Sequence, residues 1–305
     1  MEGSYSRINS IEGAYNFVQI QETKFNIQIR NIILDLMHYG EPSTKILTLS
    51  GPSCSGKTTT ANKLTEQFKN FGYNAIMISL DDFFLDTSHT FGMDGSKVDF
   101  DSPSTIDYYM LERVARGINR RETVKLPKFD FQQRKPFMGG EYSPHSNDII
   151  IFEGIQAVYP NTQYILSKYF DNYKSIFINV ENNIDNTGIN ITSSDIRLLR
   201  RIIRDKRCRN ASVEFTLGIW NSVRNNEETH IFPNSKNCDF YINSFLEYEH
   251  YITAPAVYKE IEDIKGIDNL KELIANVNNN YISKDLVPKQ SVLREFIGEG
   301  YIELL

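Results

Sequence analysis

The segment Gly51-Pro52-Ser53-Cys54-Ser55-Gly56-Lys57-Thr58 has the spacing Gly-x-x-x-x-Gly-Lys-Thr, which suits the phosphates of a nucleotide. Backbone N–H groups across Gly51, Ser53, Ser55 and Gly56 can turn inward toward phosphate oxygens, and the glycines permit the tight turns this needs. A helix starting at Lys57 adds its positive end, with Thr59 in its first turn. Lys57 would reach the β and γ phosphates, and the Thr58 hydroxyl could ligate Mg²⁺. The motif requires a strand before it and a helix after it. Lys45 to Ser50 is an apolar run that reads as the strand. Ala61, Leu64, Phe68 and Phe71 follow at helical spacing. Such a loop implies nucleotide binding and leaves the reaction open. Nothing points to a GTP-dependent switch, because the Asn62-Lys63 pair falls inside the loop's own helix rather than in a base-reading motif.

Phosphoryl transfer to an alcohol needs a metal, an in-line acceptor and a group that takes the hydroxyl proton. Asp81 and Asp82 follow a predicted strand, Asn74 to Ser79, at the edge where parallel sheets place ligands. Asp81 is the candidate base, with a further role near the metal; the alternative is that the pair caps a turn. Glu153 ends the run Asp148-Ile149-Ile150-Ile151-Phe152-Glu153 in the manner of a Walker-B-type metal partner, although a buried strand can end in Glu for other reasons.

Residues 194–209 carry Arg197, Arg200, Arg201, Arg204 and Arg207 on one side of a predicted helix, with Ile196, Leu198, Leu199, Ile202 and Ile203 on the other. Ser193 or Ser194 would cap it. Few acids share the basic face, so three readings stand: a solvated surface, an RNA contact, or a lid over the transferring phosphate. The lid is favoured, since the chain carries 33 Lys plus Arg against 39 Asp plus Glu, a net −6 that argues against nucleic acid.

The elements that must position these residues alternate strand and helix, which predicts a three-layer α/β fold around a mostly parallel sheet. Ile106 to Ile118 reads as helix and Ser175 to Val180 as strand. The rhythm breaks at residues 123–147, read as a β-hairpin excursion. The expected organisation is an N-terminal helical extension over 1–44, a kinase-like domain over 45–263 and a partly helical tail over 264–305. The extension includes a helix from Phe25 to Met37. The Asn-rich stretch Asn276 to Asn280 precedes a helix near Val292 to Ile297. Three scattered cysteines predict a reducing compartment and no zinc site. With neither a signal peptide nor a membrane-length apolar run in view, the expected location is cytoplasmic.

Taken in order, the motifs resemble the uridine kinase and phosphoribulokinase family of P-loop kinases. They are Gly51 to Thr58, Ser79-Leu80-Asp81-Asp82-Phe83-Phe84, Asp99-Phe100-Asp101-Ser102-Pro103, Leu126-Pro127-Lys128-Phe129-Asp130-Phe131, Ile151-Phe152-Glu153-Gly154-Ile155 and Asp195 to Asp205. The likeness spans about Lys45 to Glu249. Trp220 to Arg224, Ile231-Phe232-Pro233 and Leu293-Arg294-Glu295-Phe296-Ile297-Gly298 resemble a bacterial-type branch. That branch often carries a threonyl-tRNA-synthetase-like region ahead of the kinase; this sequence starts almost at the kinase.

The resemblance implies transfer of phosphate from ATP, with Mg²⁺, to the 5′-hydroxyl of a pyrimidine nucleoside, a salvage reaction. It puts the catalytic base at Asp81 and the ribose contact at Asp101. Phe129 and Phe131 fall in the hairpin that covers the base, Arg197 and Arg201 in the lid helix that meets ATP phosphates, and Arg200 among the nucleotide contacts. A homo-oligomer is the family expectation. Two positions depart from the pattern. Phe84 stands where uridine kinases carry Tyr, and Gln133 and Arg134 occupy the stretch of a base-reading His. A different small alcohol or a phosphosugar held by Arg134 is therefore an alternative acceptor, and a non-catalytic nucleotide sensor or RNA-associated module is an alternative of another class.

Overall fold

The computed structural model describes residues 8–38, 40–86, 102–182, 184–186, 189–265, 267–275, 277 and 281–301. Its centre is a five-stranded parallel sheet. The strands are β1 (Ile46–Ser50), β2 (Asn74–Ser79), β5 (Asp148–Glu153), β6 (Lys174–Asn179) and β7 (Phe240–Asn243), in spatial order β7-β6-β1-β5-β2. Every residue of β1 and β5 is buried, as strands covered on both faces must be. Successive side chains point to opposite faces. Ile149 and Ile151 therefore enter one core with Leu47, Leu49, Ile176 and Ile178, while Ile150 and Phe152 enter a second core with Ile46 and Ile78.

The first core is closed by α1 (Ile11–Leu36), by α2 (Lys57–Asn70) and by the C-terminal residues Val292, Leu293 and Phe296. α1 begins well before Phe25, where the sequence reading put its start, and Ser10 caps it by accepting from the Gly13 N–H at 3.0 Å. α2 ends at Asn70, so Phe71 lies past the helix and is exposed rather than part of the buried face. The second core is closed by α3 (Tyr108–Asn119), α4 (Pro160–Tyr169) and the base of an antiparallel hairpin, β3 (Val124–Asp130) with β4 (Lys135–Tyr142). The hairpin falls inside the stretch where the alternating rhythm broke.

Parallel order puts three strand ends on one edge. Leu49 pairs with Glu153 and Ser79 pairs with Glu153, so the exits of β1, β2 and β5 sit side by side. Beyond β6 come α5 (Ser193–Arg209), α6 (Val213–Asn226), α7 (His250–Ile261), α8 (Asp268–Ala275) and the short α9 (Arg294–Ile297). Among the described residues no helix is long and apolar enough to cross a membrane.

Candidate active site

The loop from β1 to α2 shows why its residue types are required. A side chain on Gly51 would place a carbon 2.1 Å from the Ile178 carbonyl oxygen of β6. Gly56 takes a left-handed φ of +93° at the start of α2, and a side chain there would strike Val292. Cys54 is also left-handed, with φ 61°. The loop thus bends once at a residue that sequence alone does not mark for it. Ser55 is fully buried, and its hydroxyl has no hydrogen-bond partner among the described residues.

The loop opens on a cleft of about 280 Å³ lined by Ser53, Gly56, Lys57, Thr58, Asp81, Glu153, Arg201, Arg204, Arg209 and Glu295, with Cys54, Ile155 and Cys208. The sequence-predicted Lys57, Thr58, Asp81, Glu153 and Arg201 therefore meet in one place. Lys57 Nζ donates to the carbonyls of Gly51 and Pro52 at 2.9 and 3.1 Å. Asp81 sits in the turn Leu80–Phe83 that follows β2, and its Oδ1 accepts from Gln156 Nε2 at 2.7 Å. Its neighbour Asp82 does different work. It accepts from Lys128 Nζ at 2.6 Å and from the Phe129 N–H at 3.2 Å, tying the hairpin to the turn.

Burial pushes the Glu153 carboxyl up from its ordinary 4.5 to about 7. Lys57 pulls against that rise, while Asp81, Glu295 and Asp82 add to it. A desolvated carboxylate beside a hydroxyl and a second carboxylate is a donor set that suits a hard cation such as Mg²⁺. That ion takes one or two carboxylates and completes its shell with water and substrate phosphate. Among the described residues no group of three or more His, Cys, Asp or Glu comes together as a metal cluster.

The arginine helix is where structure corrects expectation. α5 is capped by Thr192, not by either serine: Thr192 accepts from the Asp195 N–H while Asp195 accepts from the Thr192 N–H. The basic face also has acids. Arg197 is fully buried and paired with Glu227 at 2.5 and 2.8 Å; Arg200 is fully buried and paired with Glu249 at 2.6 and 2.8 Å. Neither guanidinium lines the cleft. Both instead hold the back of the phosphate loop, Arg197 donating to the Ser53 carbonyl and Arg200 to the Cys54 carbonyl, each at 3.2 Å. A loop that turns its N–H groups inward leaves carbonyls outward, and these need donors.

Arg201 and Arg204 do line the cleft. Arg201 donates to the Ser53 hydroxyl at 2.9 Å, and both share the buried Asp205 with Arg209. Burial alone would raise the Asp205 carboxyl, but Arg204, Arg201 and Arg209 hold it below its usual range.

Just past Asp81 in the chain, Phe84 forms an edge-to-face cluster with Phe129 and Phe131 of the hairpin, with ring centroids 5.1 to 6.1 Å apart. Phe84 and Phe129 are buried and Phe131 is 56% exposed. Arg134 stands in the hairpin turn, exposed and with φ 56°. Asp101 lies outside the described residues. Arg204, read in sequence only as one of the five arginines of the lid helix, is in the cleft. Sequence reasoning assigned no task to Gln156 or Glu295; of the two, Glu295 had a signal, as part of the late Leu293 to Gly298 motif.

The sequence matches the Phosphoribulokinase / Uridine kinase family over residues 46–249. It is 26% identical over 206 residues to a uridine kinase of Ureaplasma urealyticum, covering 67% of this chain and 89% of that one. It is 27% identical over 198 residues to uridine-cytidine kinase A of Dictyostelium discoideum, covering 65% of this chain and 35% of that one. A solved phosphoribulokinase from Rhodobacter spheroides is 15% identical with a TM-score of 0.44, covering 64% of this chain and 67% of that one. The phosphate loop, the carboxylates beside it and the family match agree: this chain belongs to the Phosphoribulokinase / Uridine kinase family and is a P-loop kinase that transfers a phosphoryl group to an alcohol.

Proposed function

We propose that the chain uses MgATP to phosphorylate the 5′-hydroxyl of a pyrimidine nucleoside, uridine or cytidine. The observation that carries this reading is the position of Asp81. It lines the same cleft as Lys57 and belongs to the short turn that also supplies Asp82, the anchor of the phenylalanine-bearing hairpin. One turn thus joins a carboxylate in the phosphate cleft to the hairpin that carries the flat apolar surface.

Each residue has a task in that arrangement. The amides of Gly51 to Thr59 and the Lys57 ammonium bind the triphosphate, and Arg201 and Arg204 neutralise charge that spreads over the transferring group. Gln156 fixes Asp81 through Oδ1, which leaves Oδ2 to accept the hydroxyl proton as the acceptor oxygen attacks. Thr58 and Glu153 would hold Mg²⁺, with Asp81 near enough to share it; the ion supplies charge neutralisation between the phosphates. Phe129 and Phe131 offer faces and edges for a pyrimidine. Asp101 is proposed as the ribose contact on family likeness alone.

The deciding measurement is ADP release with uridine, cytidine, purine nucleosides and sugar phosphates as acceptors. Turnover confined to pyrimidine nucleosides supports the reading. Turnover only with a phosphorylated sugar, lost in Arg134→Ala, replaces the acceptor and keeps the chemistry. Nucleotide binding without turnover on any acceptor makes the protein a sensor.

A further inference from the structure

The C-terminal segment lies beyond residue 249, where the family match ends, yet it touches the phosphate loop directly. Val292 fills the space over Gly56. Glu295 Oε2 accepts from the Thr59 N–H at 3.0 Å and from the Thr59 hydroxyl at 2.9 Å. Thr59 is the third residue of α2, whose own cap position, Gly56, has no side chain to offer. The unpaired amides at such a helix start are what a nucleotide's phosphates use. Glu295 therefore supplies a negative charge from 236 residues away along the chain to a donor that the substrate also needs.

The segment around Glu295 is firmly seated. Val292, Leu293 and Phe296 are fully buried. Arg207 donates to the carbonyls of Phe296 and Glu295 at 3.0 and 2.9 Å, and Arg294 donates to those of Val287, Lys284 and Gly298. Pulling the whole segment out would expose three large apolar side chains, whereas turning one glutamate side chain breaks two hydrogen bonds. Arg204 and Arg209 line the same cleft and give the turned carboxylate a place to go.

Resting on the donor-site reading above, we propose that Glu295 is a built-in anion that mimics a phosphate at the Thr59 amide and is displaced by rotation when the triphosphate binds. The backbone of the segment stays in place. Its consequence is regulatory: each nucleotide must compete with an intramolecular carboxylate, so donor affinity is set from outside the matched kinase region. A triphosphate entering a cleft that already holds Asp81 and Glu153 cannot also share Thr59 with a third carboxylate without repulsion.

The test is calorimetric titration of ATP, and separately of inorganic tripolyphosphate, into the full chain as wild type, Glu295→Gln and Glu295→Asp. Glutamine keeps an acceptor for Thr59 and removes the charge. The expected result is about tenfold tighter binding of both probes to Glu295→Gln, the size expected of a charge at a helix start. Glu295→Asp, which keeps the charge but draws it back, should fall between. Amide exchange of residues 292–298 should be equally protected with and without ATP. Equal or weaker binding to Glu295→Gln overturns the proposal while leaving the donor site intact, and loss of protection at 292–298 on ATP binding overturns the side-chain mechanism. Binding by neither wild type nor Glu295→Gln rejects the donor-site reading itself. If the glutamine variant does not fold, the aspartate variant decides by the same comparison.

Discussion

The phosphate cleft and the hairpin anchored at the turn next to it form two ends of the site, built from different materials. At the phosphate end the groups that brace the loop are polar, buried and held by a second residue. The loop's carbonyls are taken by Arg197 and Arg200, and those arginines are fixed by Glu227 and Glu249. At the hairpin end the surface is aromatic and half open, with Phe131, Phe137 and Met138 exposed. The carboxylate of Asp82 and the ring of Phe84 tie it to the turn beside the phosphate loop. The contrast follows from what each end binds. A triphosphate has one shape and a high charge, so fixed dipoles held in place beforehand serve it best. An acceptor varies in shape, and apolar ring faces tolerate variation.

The sharpest way to break this division is at Asp81, which stands between the two ends. Asp81→Asn keeps the Gln156 contact in reach and removes the proton acceptor. It should lower kcat about a thousandfold, within the usual range for a lost general base, and leave the ATP dissociation constant nearly unchanged. Steady-state kinetics and calorimetry together check it. A loss of ATP affinity with kcat preserved would move Asp81 to the donor end.

The next effect belongs to the phosphate end alone. Arg197→Met strands Glu227, which is 1% exposed and, among the described residues, keeps only Arg224 as an ion-pair partner. Stability should fall by about 3 kcal/mol in a denaturant melt, the lower part of the range for a broken buried pair. Adding Glu227→Met should recover much of that loss, because the stranded charge goes with it. No recovery would mean that the contact to the Ser53 carbonyl, rather than the ion pair, is what matters.

Glu153 gives a smaller, pH-dependent signal. Its folded carboxyl titrates near 7 against an ordinary 4.5. Below 4.5 the folded and unfolded chains both hold the proton. As pH rises from 4.5 to 7 the unfolded chain releases it first, so stability falls across that window by the cost of ionising the buried carboxyl and levels off above 7. Without nucleotide, Glu153→Gln should be more stable than wild type by roughly 2–3 kcal/mol at pH 8. The gap should shrink to nothing near pH 4.5 in parallel thermal melts. A gap independent of pH would show that Glu153 is not the desolvated group.

How much of this could be read beforehand also divides by region. The strand bounds Asn74 to Ser79 and the hairpin could, because alternation and apolar runs are local patterns. The phosphate loop could too, since its Gly-x-x-x-x-Gly-Lys-Thr spacing lies within eight consecutive residues, although the groups that crowd its glycines, Ile178 and Val292, are distant in the chain. The fate of the arginines could not. A helical projection shows which side Arg197 and Arg200 face, but their partners lie 30 and 49 residues further on and arrive only through packing. Glu295 is the extreme case, placed by a fold that brings the chain's last described helix onto one of its first. Asp81 is the candidate base in sequence, where Asp82 has no task of its own; the hairpin's position gives it one.

The mildest test concerns the open end. Phe131 touches Phe84 and Phe129 by its edge and leaves over half its surface to solvent. Removing it should cost little stability, within about 1 kcal/mol. If the ring stacks on the acceptor's base, Phe131→Ala should raise the nucleoside KM about tenfold, a typical worth for one base–aromatic contact. The ATP KM and kcat should hold, because the contact is the same before and during transfer. A fall in kcat at constant nucleoside KM would instead mean that the hairpin aligns the hydroxyl against Asp81. The open end would then share the preorganised character of the phosphate end, and the division between recognising an acceptor and activating it would collapse.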